Sequence, residues 1–333
     1  MSASPKISVI IPVYNVKPWL ETCLQSVAQQ SCADIEILAV DDGSTDGCGE
    51  LLAQAQQTYP QLRVLTQPNQ GVAAARQKGL AHATGETVCF VDGDDFLDTR
   101  YLEELWQVYC QTKAPVVMAP MVRYSPDRPE PPHVPDLFQA GCLQGPQRRR
   151  IFEDFSASMA LCGKLIKRSC LEGVTFPSFQ TGDDILPAVS VWAAADKVAF
   201  APKAIYFYRE RAGSQSRAGG QRFTGLLHGF SQARQVLKTK GLYPDFAPGF
   251  EYICRVCLIS FMEKYGLTPQ EEEALSALRR EMQVPVSLFQ GRPLRFRVRQ
   301  YLFNFCLQRG ISYARWWRSL RRLWPFKVGK EPR

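Results

Sequence analysis

The chain has 333 residues, 45% of them hydrophobic, and a net charge of +8, a composition that excludes a disordered polymer and leaves room for one large domain or two modest ones. The charge is uneven: residues 291–333 hold twelve Lys or Arg against one Glu, a local +11 that leaves −3 for residues 1–290, so the body lacks the basic surface of a nucleic-acid enzyme and no nucleic-acid partner is expected. Eleven cysteines in no framework spacing exclude a disulfide scaffold and suit a reducing compartment, and no apolar run reaches the length of a membrane-spanning helix.

In chain order, Ile7–Ile11, Ile35–Val40, Arg63–Leu65 and Thr87–Val91 read as strands. The first is cut short by Pro12 and carries no cleavage pattern, so it does not read as a signal peptide. Between the strands the period changes from two to 3.6. Leu20, Cys23, Leu24 and Val27 follow Pro18 at i, i+3, i+4 and i+7, Leu51, Leu52 and Ala55 open a second helix, and Val72–Leu80 forms a third. Such alternation predicts a mainly parallel sheet with helices on both faces, whose ligands gather beyond the carboxyl ends of the strands. Five prolines between Ser125 and Pro135 mark a surface loop or hinge, and the block from Ile151 to about Arg217 is read as completing the same domain. The expected organisation is a catalytic domain over residues 1–220, a helical region over 221–290 and a basic tail over 291–333. Cys254 and Cys257 lie in a helical apolar segment without a second pair, which favours packing over zinc.

Three acids, Asp92, Asp94 and Asp95, close the fourth strand. Carboxylates crowded at a strand end repel one another and lose hydration, and a cation relieves both costs. Oxygen ligands suit Mg2+ or Mn2+, and Mg2+ uses only one or two protein carboxylates beside substrate phosphates and water. A plain acidic turn with Gly93 at positive φ is the structural alternative. No G-x-x-x-x-G-K-[ST] or G-x-G-x-x-G occurs, which argues against a P-loop or hydride enzyme. Ser44–Asp46 suit a turn and a helix cap, whereas Asp42 at a strand end could accept a base N–H and Tyr14 could stack on that base.

The ordered set Ile-Ser-Val-Ile-Ile-Pro-Val-Tyr-Asn (7–15), Val-Asp-Asp-Gly-Ser-Thr-Asp (40–46), Asn-Gln-Gly-Val-Ala-Ala-Ala-Arg-Gln-Lys-Gly (69–79) and Phe-Val-Asp-Gly-Asp-Asp (90–95) resembles the family 2 glycosyltransferases of GT-A fold. Cys-Gly-Lys-Leu-Ile-Lys-Arg (162–168), Thr-Gly-Asp-Asp-Ile-Leu (181–186) and Tyr-Phe-Tyr-Arg-Glu-Arg-Ala-Gly-Ser (206–214) resemble later motifs of bacterial members that build capsule or lipopolysaccharide. The resemblance covers about residues 6–216 and implies a Rossmann-like GT-A domain followed by a mainly helical basic region. It implies inverting transfer of a sugar from a nucleoside-diphosphate sugar, a UDP-sugar first, to an acceptor hydroxyl on a glycan or lipid-linked acceptor. Pro12 and Tyr14 would border the base, Asp42 would hold a pyrimidine N–H, Asp92 would face the ribose, Asp94 would ligate Mn2+ or Mg2+, and Asp184 would be the general base. Asp183 stands where the family more often has Glu. Lys164, Arg209 and Ser214 match recurrent positions whose simpler reading is solvated charge or polarity.

Two other readings compete. Asp92-x-Asp94 resembles the nucleophile and acid of a haloacid-dehalogenase-like phosphatase, although Phe96 stands where that motif has Thr or Val; the third reading is a non-catalytic membrane-associated binding module. In the tail, Tyr313, Trp316, Trp317, Leu320, Leu323 and Trp324 form one helical stripe while Arg315, Arg318, Arg321 and Arg322 line the rest. A basic amphipathic helix with tryptophans suits an anionic membrane surface. A cytoplasmic enzyme, peripheral on the cytoplasmic face of the membrane, is the resulting expectation.

Overall fold

The computed structural model describes residues 5–32, 34–125, 134–179, 181–210, 222–278, 297 and 300–305. The proline-rich loop at 126–133, Ser214 and the tryptophan stripe of the tail lie outside the described residues.

The first half alternates as its hydrophobic pattern requires: β1 (Ile7–Val13), α1 (Lys17–Ala28), β2 (Ile35–Asp41), α2 (Cys48–Thr58), β3 (Leu62–Thr66), α3 (Val72–His82) and β4 (Thr87–Phe90). β5 (Phe96–Leu97), α4 (Tyr101–Thr112), β6 (Val116–Met118), β7 (Met121–Tyr124), β8 (Cys142–Gln144), α5 (Phe155–Met159) and β9 (Lys164–Lys167) follow. Then come α6 (Ile185–Ala194), β10 (Lys197–Phe200), β11 (Tyr206–Arg209), α7 (Arg222–Thr239), α8 (Tyr243–Tyr265) and α9 (Pro269–Ala277). α1 buries Leu20, Cys23, Leu24 and Val27, the four positions its period marks, and Pro18 lies in its first turn, where a missing N–H is harmless.

Eight strands pair in the order β3-β2-β1-β4-β9-β6-β10-β8, and β5-β11-β7 form a separate small sheet. β3, β2, β1 and β4 run parallel, as does the β6–β10 pair, but β9 is antiparallel to both of its neighbours and β8 to β10. The sheet is therefore mixed, its parallel pairs joined through antiparallel β9. The reversal of β9 has a positional effect: its first residues, and the Ala160–Gly163 turn before them, reach the rim where the parallel strands end. β1 and β4 are buried along their whole lengths, as strands covered on both faces must be.

α7 and α8 enclose a buried ionic cluster. Glu251 accepts from Arg234 Nε at 2.6 Å and Nη2 at 3.0 Å, from Tyr243 Oη at 2.9 Å, and lies 3.4 Å from Arg255 Nη2. Burial pushes the Glu251 carboxyl up, but the bonds from Arg234 and the charge of Arg255 outweigh it and hold it below the ordinary glutamate range. Its stabilising contribution is thus complete above the unfolded glutamate pKa and drains away as pH falls through the lowered folded value. Glu251→Gln leaves two buried guanidinium groups without their shared anion and is expected to cost about 3–5 kcal/mol, measured by urea unfolding at neutral pH. Cys254 and Cys257 lie on α8 as free thiols, Cys254 fully buried, in keeping with a packing role.

Candidate active site

The strand ends of β1, β2 and β4 bring together the segments 12–15, 41–46 and 92–95. Asn15, at φ +51°, turns its Oδ1 onto the Thr45 N–H at 2.8 Å, while its own N–H donates to Ser44 Oγ. Asp46 accepts from the N–H of Lys17 at 2.9 Å and of Cys48 at 3.1 Å, so one carboxylate caps the starts of α1 and α2. The cap reading of Ser44–Asp46 is thereby met. Tyr14, at 39% exposure, presents its ring to solvent beside these loops instead of to the core edge.

Asp42 is 2% exposed, and its carboxylate already accepts three hydrogen bonds: from Gln67 Nε2 at 2.8 Å, Gln70 N at 2.9 Å and Gly71 N at 2.8 Å. Gly71 is the N-cap of α3 and Gln70 the residue before it, so the acid anchors the start of that helix. A carboxylate offers about four acceptor positions, and one remains for a ligand donor. Gly43, at φ +74°, permits this approach, because a Cβ there would lie 3.0 Å from the Asn69 nitrogen.

The acids after β4 differ from one another. A turn is present here, with the Asp95 N–H donating to the Asp92 carbonyl at 3.0 Å, but Gly93 is not at positive φ; a Cβ on it would sit 3.0 Å from the Pro12 carbonyl oxygen and crowd it. Asp95 is buried and takes the Tyr206 hydroxyl on Oδ2 at 2.7 Å and the Arg209 N–H on Oδ1 at 2.8 Å. The Tyr206 oxygen in turn accepts the Asp92 N–H at 3.1 Å, and Arg209 Nε donates to the Asp94 carbonyl at 2.9 Å. β11 therefore staples the acidic loop, and the Arg209 guanidinium stacks over Phe96 and Tyr124 at 5.0 and 5.3 Å. Burial first, then the charges of Asp92 and Asp94, push the Asp95 carboxyl up to about 8. That is what burial of a carboxyl beside two like charges does. Asp92 and Asp94 are both part-exposed, one Asp92 oxygen is held by Arg76, and carboxylate oxygens are the donor type that suits Mg2+ or Mn2+.

The central feature is Arg76. Its guanidinium, 4% exposed, meets Asp92 at 2.9 Å, Asp183 at 3.1 Å and, in the closest contact of the three, Asp184. The acids retain 30%, 18% and 26% exposure, so a ligand can reach them while the cation stays covered. Burial opposes the Arg76 charge, and the three carboxylates more than restore it. One cation facing three acids leaves negative charge unbalanced. Burial and then the neighbouring Asp184 charge push the Asp183 carboxyl up to about 7, against the pull of Arg76. Burial likewise raises Asp184, with Arg76 opposing. Asp184 immediately precedes α6, yet its side chain makes no cap bond to that helix; it turns to Arg76 and to the Leu161 N–H at 3.4 Å. Lys164 is no solvated surface charge: it is fully buried, donates to the Ala160 carbonyl, and is lowered by burial to about 8.

Arg76, Tyr206 and Gln67 are the participants that sequence reasoning passed over. Arg76 lay within the quoted 69–79 motif, where its position four residues into a helix whose start sits at a ligand rim was the available signal.

A Rossmann-like core with helices on both sides, acids after β4 and a helical C-terminal region is a GT-A architecture. The structure of TarS from S. aureus, solved in complex with UDP-GlcNAc, superimposes with a TM-score of 0.73 at 21% identity over 98% of this chain and 95% of that one. The family model Glycosyl transferase family 2 matches residues 8–169. The glycosyltransferase GlyG of Streptococcus pneumoniae is 31% identical over 64% of this chain and 74% of its own length. GlyA of the same organism is 30% identical over 73% of this chain, which spans only 36% of the length of GlyA. The chain belongs to the family 2 glycosyltransferases.

Proposed function

We propose that the protein transfers a sugar, with inversion, from a nucleoside-diphosphate sugar to an acceptor hydroxyl. The observation that carries this reading is Arg76, which joins the acid of the expected donor side, Asp92, to the acids of the expected acceptor side, Asp183 and Asp184. Tyr14 offers a stacking face for the base and Pro12 its border. Asp42 contributes its remaining acceptor position to a base N–H, and Asp92 faces the ribose. Asp184 takes the proton of the acceptor hydroxyl as that oxygen attacks the anomeric carbon from the side opposite the leaving diphosphate, and one base suffices for inversion. Its raised pKa brings it closer to neutrality, where proton removal has more driving force. Mg2+ or Mn2+, held by Asp94, would supply electrostatic stabilisation to the departing diphosphate. The complex of TarS with UDP-GlcNAc supports a UDP-sugar as the first donor to try.

Thermal shift with UDP-, GDP-, CMP- and dTDP-sugars in Mn2+ tests the reading, since a ligand of the native state raises Tm. A UDP-sugar is expected to give the largest rise; no rise with any of the four would overturn it. In Asp94→Asn, Mn2+ is expected to add nothing to nucleotide affinity, read by calorimetric titration of UDP with and without the ion. A phosphatase reading sits poorly with the family and with an Asp92 oxygen committed to Arg76.

The acceptor is a glycan or lipid-linked glycan of the cell envelope, reached at the cytoplasmic face of the membrane through the basic tail. No described helix is long and apolar enough to cross a membrane. Removing the residues after Arg292 is expected to abolish sedimentation with anionic vesicles, each near-surface cation contributing about 1 kcal/mol, and to leave UDP binding unchanged.

A further inference from the structure

We propose that α7, beyond the residues that the family model matches, forms the back wall of the loop carrying Asp184, and that Gly225 and Gly229 are positioning residues for that acid. The proposal rests on the reading of Asp184 as base.

The contact is backbone against backbone. A Cβ on Gly225 would lie 2.3 Å from the Thr181 carbonyl oxygen, and one on Gly229 would lie 2.8 Å from that of Gly182. Seen from the other side, Gly182 stands at φ +81°, and a Cβ on it would come within 3.1 Å of the Leu226 Cα and 3.3 Å of the Gly225 carbonyl oxygen. Between the two glycines the His228 ring approaches the Phe179 ring at 5.9 Å, adding a side-chain contact to the same stretch of helix. The Gly182 carbonyl accepts the Ile185 N–H at 3.2 Å, which fixes the first turn of α6 and hence the direction of Asp184. The loop is thus held between two supports. Arg76 grips its carboxylates from the sheet side, and α7 blocks its backbone from behind, so that neither the acid nor the chain carrying it can retreat from the strand-end rim.

A methyl group at Gly225 forces the loop and helix apart by about 1 Å, and a misplacement of that size costs on the order of 100-fold in rate when it falls on a reacting group. At Gly229 the required shift is a few tenths of an ångström, so its effect is smaller. Gly249 is the control. A Cβ there would lie 2.7 Å from the Phe152 Cβ, a clash of similar closeness elsewhere in the helical region.

The test compares Gly225→Ala, Gly229→Ala and Gly249→Ala in the full chain by hydrogen–deuterium exchange and by kinetics. Faster exchange confined to residues 181–192 is expected in the first two variants and not in the third. With the sugar nucleotide that wild type turns over, kcat is expected to fall roughly 100-fold for Gly225→Ala and about tenfold for Gly229→Ala, with UDP affinity within twofold of wild type. Equal effects in all three variants, or a kcat that tracks only the folded fraction, would overturn the proposal. Should Gly225→Ala fail to fold, the milder Gly229→Ala decides by the same two readouts. Asp184→Asn measured in parallel separates the layers: full activity in that variant rejects the base assignment, whereas the exchange pattern still reports whether α7 holds the loop.

Discussion

Asp184→Asn is expected to slow transfer by roughly 100- to 10,000-fold while UDP binding and Tm stay near wild type. Asparagine keeps the size of the side chain and can still accept the Leu161 N–H, but it cannot take a proton from an attacking hydroxyl. Because the base works deprotonated and its pKa is raised, wild-type kcat should climb with pH above the ordinary aspartate value near 3.8. In the variant that limb should vanish. Transfer near the wild-type rate with an authentic acceptor would remove Asp184 from the mechanism.

Arg76→Met should be the most disruptive substitution in the site, and its effect should depend on pH. It leaves Asp92, Asp183 and Asp184 crowded without their cation, and removing one partner of a buried ionic group costs about 3–5 kcal/mol. Protonation relieves that crowding. The acids of the variant titrate higher than those of wild type, so the destabilisation should be greatest near pH 8 and shrink as pH falls towards 5.5. The measurement is the Tm difference from wild type at both pH values; a difference independent of pH would show that Arg76 is held by packing alone. Arg76→Lys, which keeps one charge but not the forked donors, should recover stability better than activity.

Much of this site is legible in the sequence because its parts obey local rules. The apolar runs that became β1, β2 and β4 are buried almost throughout, and each ends in polar residues, several of which, such as Asp42 and Asp46, also hold the helices that follow. The 3.6 period of α1 marked the four residues it buries. Arg76 escaped for a physical reason: a buried guanidinium differs from a solvated one only in the acids that surround it, and those lie 16, 107 and 108 residues away. The crowding at Asp92 is met in part by the protein itself, through the Arg76 guanidinium. The role of Asp95 could not be foreseen either, since its partner Tyr206 comes from another sheet. The reversal of β9 follows from how the chain returns to the sheet, which no four-residue apolar run declares.

The start of α3 is pinned by Asp42, and five residues past Gly71 the same helix delivers Arg76 to the acids. At 1.5 Å per residue that is a spacing of about 7.5 Å, set by helix geometry alone. The segment behaves as a ruler between the Asp42 anchor and the Arg76 cation, and a ruler does not tolerate relengthening. One inserted residue would turn every later side chain by about 100° and swing the guanidinium out of the acidic trio. The count from Gly71 to Arg76 should therefore not vary among relatives, and Ala73 and Ala75, both buried, leave room only for small side chains.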